Sequence, residues 1–376
     1  MKKIWISLVL LFLSSIAEAQ EIHQIKERLF SAGYENVLIQ EEETKLRIFF
    51  EHREFRSPYA SMRYAKDLIS DLTEKNIVWV PEYHNTPIAQ YLEPDFESLE
   101  INKEDRLFFK QHNRVWKNYR LHLRIQPDLT ARFGYFEHPL EVRFNAILDS
   151  RIYLARGLSL QTGISFPVEN SLDERDMSPH LAPSMLHYFT QILPWNYLAF
   201  SVGTYYYDRF GLDLEYRHSP AESPWSYGIE AAYTGYYVIE GSSYYNSSLS
   251  DLYVVADVEY RLPLQNLSLK ISGGQFLFND QGLRADLIRQ FGSVDLGLYV
   301  AATDSGNSAG FQFAFSIFPG AIFRTPHVEL RTTEEFRWEY NYNNFDPVAQ
   351  KFRLGMPRLS DILRQYKQDF IQSRHY

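Results

Sequence analysis

From Trp116 onward the chain alternates apolar and polar residues with a period of two, the pattern of strands that turn one side to an apolar surrounding and the other to a polar one. The clearest case is Phe210, Leu212, Leu214 and Tyr216 set against Gly211, Asp213, Glu215 and Arg217. The same alternation predicts strands over 119–126, 129–136, 140–154, 158–166, 181–192, 197–206, 210–217, 225–233, 252–261 and 267–272. It predicts further strands over 283–290, 294–303, 311–318, 328–332 and 336–342. Pro127-Asp128, Arg156-Gly157 and Pro194-Trp195-Asn196 read as turns, and Glu169 to Pro179 and Gly241 to Ser250 as polar loops. The segment holds about 14 strands, many of them near the ~9–11 residues that cross a bilayer when tilted.

The first part of the chain has another rhythm. Ile22, Ile25, Leu29 and Ala32 recur at helical spacing and Gly33 is placed to end that helix. Short strands follow over 36–40 and 45–51. Ser57-Pro58 then opens a helix with Met62, Ala65, Leu68, Ile69 and Leu72 on its buried side. Strands over 77–83 and 88–92 complete a small α/β module, residues 20–93. Residues 94–115, charged and containing Pro94, read as a linker with a short helix or turn.

Lys2 and Lys3 followed by the apolar run Ile4 to Ile16 and by Ala17-Glu18-Ala19 have the form of a secretory signal peptide, residues 1–19, cleaved between Ala19 and Gln20. Cysteine is absent, which excludes disulfides and thiolate metal sites. A net charge of −9 argues against nucleic acid as partner. With 27 Tyr and 27 Phe the chain is 16% aromatic, suited to boundaries between oily and wet surroundings. An exported, Tyr-rich, strand-rich chain implies a mainly β fold: a transmembrane antiparallel β-barrel, residues 116–345, carrying the small module on the periplasmic side of an outer membrane. Residues 346–376 add an amphipathic tail through Leu359, Ile362, Leu363, Tyr366 and Phe370. It could plug the lumen, bind a periplasmic partner or pack on the α/β module, and packing on the module is the reading taken.

Chemistry is sparse. His122, His138, His180, His187 and His218 show no metal-ligand spacing, and there is no GxSxG elbow, P-loop or dinucleotide fingerprint. No cofactor, metal or catalytic residue is expected, although a Ser/His lipid or glycan hydrolase assembled across strands would leave no local motif. The charges opposite the apolar set are Arg120, Arg124, Arg132, Arg143, Asp213, Glu215, Arg217, Asp257, Glu259, Arg261, Arg284 and Asp286. If the apolar side meets lipid these point into the lumen, either as a hydrophilic path for a glycan or as a salt-bridge network filling a closed barrel; their mixed signs favour the network. Tyr205, Tyr206, Tyr207, Tyr236, Tyr237, Tyr244 and Tyr245 read first as an interfacial girdle and second as platforms for stacking sugars.

Several stretches resemble the YjbH-like family of outer-membrane proteins associated with exopolysaccharide and capsule. They are Gly33 to Val37 followed by Phe50 to Arg56, Pro194 to Tyr197 leading to Gly203 and Gly211 to Tyr216, and Gly274 to Gly282 continued by Arg289 to Gly292. Together they span Leu29 to Pro319, with no comparable match beyond. The resemblance implies an outer-membrane barrel that assists exopolysaccharide or capsule secretion, with membrane lipid, a polysaccharide and a periplasmic or outer-membrane export protein as partners. A barrel hydrolase and a general porin are the alternatives.

Overall fold

The computed structural model describes residues 19–115, 119–134, 140–240, 243–262, 265–342 and 347–373. The expected signal peptide lies outside the described residues except for Ala19, which with Gln20 belongs to helix α1 (residues 19–31), and so does His138.

Helix α1 buries Ile25 and Leu29 and stops at Gly33, whose φ of +101° only glycine adopts without strain. Tyr34 N donates to Leu29 O and Gly33 N to Phe30 O, closing the helix end. Strands β1 (Glu35–Glu41) and β2 (Lys45–Glu51) form an antiparallel pair. Helix α2 (Pro58–Ile69), opened by Pro58, crosses over to β3 (Asn76–Tyr83), which is therefore parallel to β2. The small segments β4 (Thr86–Pro87), β5 (Gln90–Leu92) and β6 (Glu97–Leu99) complete this sheet, in the order β1-β2-β3-β5-β6 with β4 on β3. Leu46, Ile48, Phe50, Met62, Ala65, Ile69 and Trp79 make its core with α1. The stretch read as a linker includes β6 and a helix of three turns, α3 (Lys103–His112), capped by the Asn102 side chain on Asp105 N.

The rest of the chain is one large sheet. Its segments are β7 (Leu121–Phe133), β8 (Leu140–Ala155), β9 (Leu158–Asn170), β10 (His180–Leu181), β11 (Met185–Leu193), β12 (Asn196–Tyr205), β13 (Arg209–His218), β14 (Trp225–Glu240) and β15 (Ser243–Asn246). There follow β16 (Asp251–Leu262), β17 (Leu267–Gln275), β18 (Gln281–Phe291), β19 (Val294–Thr303), β20 (Gly306–Phe315), β21 (Ala321–Arg324), β22 (Val328–Thr332) and β23 (Phe336–Tyr342). Neighbours along the chain pair antiparallel, and the order of the sheet returns on β7. Segments β10 and β11, β15 and β16, β20 and β21, and β22 and β23 continue one another along the same neighbours, which leaves 13 strands among the described residues. An odd number of alternating strands can meet its own beginning only in a parallel pair. That pair is β22 with β7, from Val328↔Leu121 to Thr332↔Ile125.

Two sequence expectations are corrected here. Pro127-Asp128 is not a turn: β7 runs straight through it, with Pro127 opposite Ala146 of β8. Proline is tolerated because the missing N–H falls on the edge where β7 has lost its other neighbour. The tyrosine-rich loop 241–250 likewise contains a strand, β15, paired with the end of β14.

Burial along the large sheet is inverted relative to an ordinary globular core. Leu212, Leu214, Ile271, Leu283, Leu298 and Val300 are exposed, while Asp213, Arg217, Ser272, Arg284 and Asp286 on the alternate positions are buried. Among the described residues no helix is long and apolar enough to cross a membrane.

Candidate functional site

The buried charges of the large sheet are held together by ion pairs. Arg217 reaches Asp257 at 2.8 Å and Glu259 at 3.1 Å, Arg284 binds Asp286 at 2.7 Å and Glu339 at 2.8 Å, and Arg124 pairs with Asp149 and, at 3.2 Å, with Glu334. Low dielectric makes such pairs strong, and it makes an unpaired member costly. Close packing of these strands also depends on Gly211, φ +155°, where a Cβ would meet the Tyr233 carbonyl at 2.2 Å.

The C-terminal segment lies along this buried face from one end of the sheet to the other. Ala349 N donates to Asp280 in the turn after β17, and Arg353 O accepts from Tyr206 N in the turn after β12. Further on, Arg358 pairs with Glu230 at 2.7 Å and Leu359 N donates to Glu215. Two short helices follow, α4 (Leu359–Arg364) and α5 (Gln368–Gln372). Arg364 grips Glu259 at 2.6 Å, Ser360 accepts from Lys270, and the Lys367 ammonium donates to the carbonyls of Pro220, Ser223 and Trp225 at the opposite end. Tyr366 and Ile371 then join the core of the small module. The expected packing on the module is found, yet it is only the last step of a path through the sheet's charged face.

This segment leaves one side open. Between residues 350–358 and the strands β7 and β23 lies a cavity of about 920 Å³. It is lined by every residue from Thr333 to Tyr342, so both sides of β23 contribute to it. The reason is the seam. Beyond Thr333 N, which donates to Ile125 O, β23 pairs only with β20 and β7 only with β8 among the described residues. Tyr340 and Phe133 touch across the gap, with ring centres 5.3 Å apart.

The floor of the cavity is shared with the module. Arg151, Glu334 and Glu335 line both the large cavity and a smaller one of about 80 Å³ beside His52, Arg53 and Arg56. Arg56 ties Glu335 and Asp295, and Arg324 ties Glu54 and Glu329. Within the module, burial and the neighbouring Glu51 carboxylate push Glu82 well above the usual range, while burial and nearby arginines hold His84 well below.

The charged residues singled out in the sequence fall into different settings. Arg124 lines the cavity and Arg132, half-exposed, stands at its edge on Glu141. Arg217, Asp257, Glu259, Arg284 and Asp286 belong to the ion-pair network described above. Glu215 serves the C-terminal segment, and Arg261 binds Gln290 and Asn266 under the Phe370 ring. Arg143 pairs with Asp173 in a side niche. Asp213 is buried beside Glu230 and Glu215 with neither oxygen hydrogen-bonded among the described residues, facing Arg358. Arg120 sits just before β7 and is drawn away from the rest, binding Phe30 O, Thr325 O and the Glu35 side chain at the module. Sequence reasoning missed Lys351, Arg353, Arg358, Arg364 and Lys367, whose spacing follows no strand period; the six Lys and Arg among residues 346–376 were the available signal.

Among the described residues no three of His, Asp and Glu gather to hold a metal. His187 Nδ1 lies 2.9 Å from Ser201 Oγ, but both are buried, His187 against His84, and they line neither cavity. Tyr206 and Tyr207 line the main cavity, with Arg353 stacked over the Tyr206 ring at 4.2 Å; Tyr205 is fully buried.

The family model YjbH, described as exopolysaccharide biosynthesis protein YbjH, matches residues 73–316, from β3 to just past β20. No curated protein and no solved structure matches the chain. A match over well over half of the chain, across the sheet that carries the charged face, places it: the protein belongs to the YjbH family.

Proposed function

We propose that the large sheet is a transmembrane barrel of the outer membrane, that the small module stands on its periplasmic side, and that the protein assists secretion or surface assembly of an exopolysaccharide. The observation that carries this is the inverted burial: Leu, Ile, Val and aromatic side chains face outward along strand after strand while the charges face one another. A surface of that size and apolarity has a natural counterpart in lipid, and the enclosed charges have one in a hydrated or protein-filled lumen. The exopolysaccharide assignment comes from the family. The cavity beside the seam gives a glycan a polar, aromatic-rimmed place to lodge, and a periplasmic or outer-membrane export protein is the expected partner.

On this reading the C-terminal segment is a plug, secured at both ends of the lumen. A plugged barrel fits an assisting role in polysaccharide traffic better than that of a general porin. The buried His187–Ser201 contact likewise gives no support to a hydrolase, since it lines neither the seam cavity nor the smaller one beside the module. Deleting the gene and measuring surface polysaccharide tests the function: altered amount, length or location is expected, and an unchanged product would refute it. Fractionation of the native cell envelope tests the placement, with recovery in the outer membrane as the expected outcome.

A further inference from the structure

The seam cavity has features that a wall filled by ion pairs does not need. Lys351, on the C-terminal segment, makes no hydrogen bond or ion pair among the described residues, and the carboxylates that attract it, Asp286 and Glu339, are already held by Arg284. Around the whole cavity seven Arg and Lys side chains stand against four Asp and Glu. The backbone edges of β7 and β23 border it without pairing to each other. Unpaired N–H and C=O groups at the depth of a membrane are costly unless something polar meets them. Tyr206, Tyr207 and Trp338 add ring faces to the same space.

We infer that this cavity binds a segment of an acidic glycan, with Lys351 as the cation that meets a sugar carboxylate. The inference rests on the exopolysaccharide reading and adds the chemical class of the sugar and the place it binds. Each part of the site has a counterpart in such a ligand. A uronic-acid carboxylate takes the free ammonium in a charge-assisted bond. Sugar hydroxyls both donate and accept, so they can satisfy the two bare strand edges. The apolar faces of pyranose rings lie on the aromatic side chains. At about 920 Å³ the cavity is also within the ~300–1,000 Å³ of sites that enclose small ligands.

The test uses the full chain purified in detergent, titrated with galacturonate oligomers and, in parallel, with neutral maltose oligomers of equal length. Galacturonate should bind and quench tryptophan fluorescence, maltose oligomers should bind at least about tenfold more weakly, and Lys351→Gln should cost the acidic ligand about tenfold or more. Lys351→Arg should retain binding, and Lys351→Gln should leave the thermal melting point unchanged, as expected for a residue that pairs with nothing in the protein. Equal binding of acidic and neutral oligomers, no binding of either, or a Lys351→Gln variant that binds as well as the parent would overturn the site. None of these outcomes bears on the deletion phenotype. Conversely, normal polysaccharide in the deletion strain together with galacturonate binding would remove the function and leave the site.

Discussion

The two sides of the large sheet's charged face use the same alternation of residues for opposite ends. From β12 to β18 the C-terminal segment answers the face almost charge for charge: Arg358 to Glu230, Leu359 N to Glu215, Ser360 to Lys270, Arg364 to Glu259. Along β7 and β23 the segment holds on at separate points, Arg353 to Asp128 at 2.7 Å and Asp361 to Arg337 at 3.4 Å, and between them the charges of the wall surround a cavity. The difference shows that a period of two decides which side chains share a face but not what that face meets. The deciding element is a stretch of chain with no strand period at all.

The sharpest way to break the comparison is to remove the segment. Deleting residues 347–376 should convert the filled side into an open one, seen as a stable ohmic conductance in planar bilayers where the intact chain gives little. If the truncated chain inserts and stays closed, the segment is not the plug. A smaller cut is Arg364→Ala. It leaves Glu259 buried with Arg217 as its one remaining ion pair among the described residues, and loss of one member of a buried pair costs about 3–5 kcal/mol. The variant should therefore unfold at markedly lower denaturant. The double change Glu259→Gln with Arg364→Met should recover part of that loss, and no recovery would mean that Arg364 acts through its other partner, Asp361, rather than through Glu259.

Much of this wall was legible in the sequence because its signal is local. Phe210 to Arg217 alternates without a break, and so do Leu267 to Ser272 and Val294 to Thr303, so strand and face follow from the spacing alone. Gly33 and Ser57-Pro58 marked helix boundaries in the module for equally local reasons. What the spacing did not contain was partnership. Pro127 reads as a turn when only its neighbours are known, and as an edge residue once β22 is seen to leave β7 at Ile125. Arg120 has the alternation of a lumen residue, yet Glu35, from far earlier in the chain, claims it. Lys351 and Arg364 became interpretable only when the segment carrying them was laid against specific strands.

The floor beneath the seam gives a weaker but separable handle. His52 stacks on Tyr34 and contacts Ser61, and burial together with Arg324, Arg331 and Arg53 lowers its pKa to about 3. The unfolded chain, with an ordinary histidine near 6.5, then binds the proton that the folded module refuses. Stability is complete above pH ~6.5 and falls as the pH drops toward about 3, with a slope of about 1.4 kcal/mol per pH unit from this one group. Glu82, held high, acts in the opposite sense, so the informative quantity is the difference between the parent and His52→Gln. Melting curves from pH 7 down to about 4.5 should converge as the pH falls, because the variant lacks this penalty. Parallel curves would mean that His52 is protonated in the fold.

The smallest expected effect concerns the seam itself. On a parallel ladder every second residue of a strand bonds the same neighbour. Ile125 O accepts from Thr333 N, so the next donor on that edge of β7 is residue 127, and proline has none. Pro127→Val restores an N–H that can reach the Thr333 carbonyl and extend the ladder toward β23. The gain is about 0.5–1.5 kcal/mol, the net worth of one backbone hydrogen bond. Its larger consequence is geometric: drawing β7 and β23 together narrows the cavity that both line and covers the bare edges offered to a sugar. The variant should therefore melt slightly higher and bind galacturonate oligomers more weakly, and its amide at residue 127 should exchange slowly with solvent. A protected amide with undiminished binding would separate the two halves of the argument, showing that the glycan needs Lys351 and the rings but not the open seam.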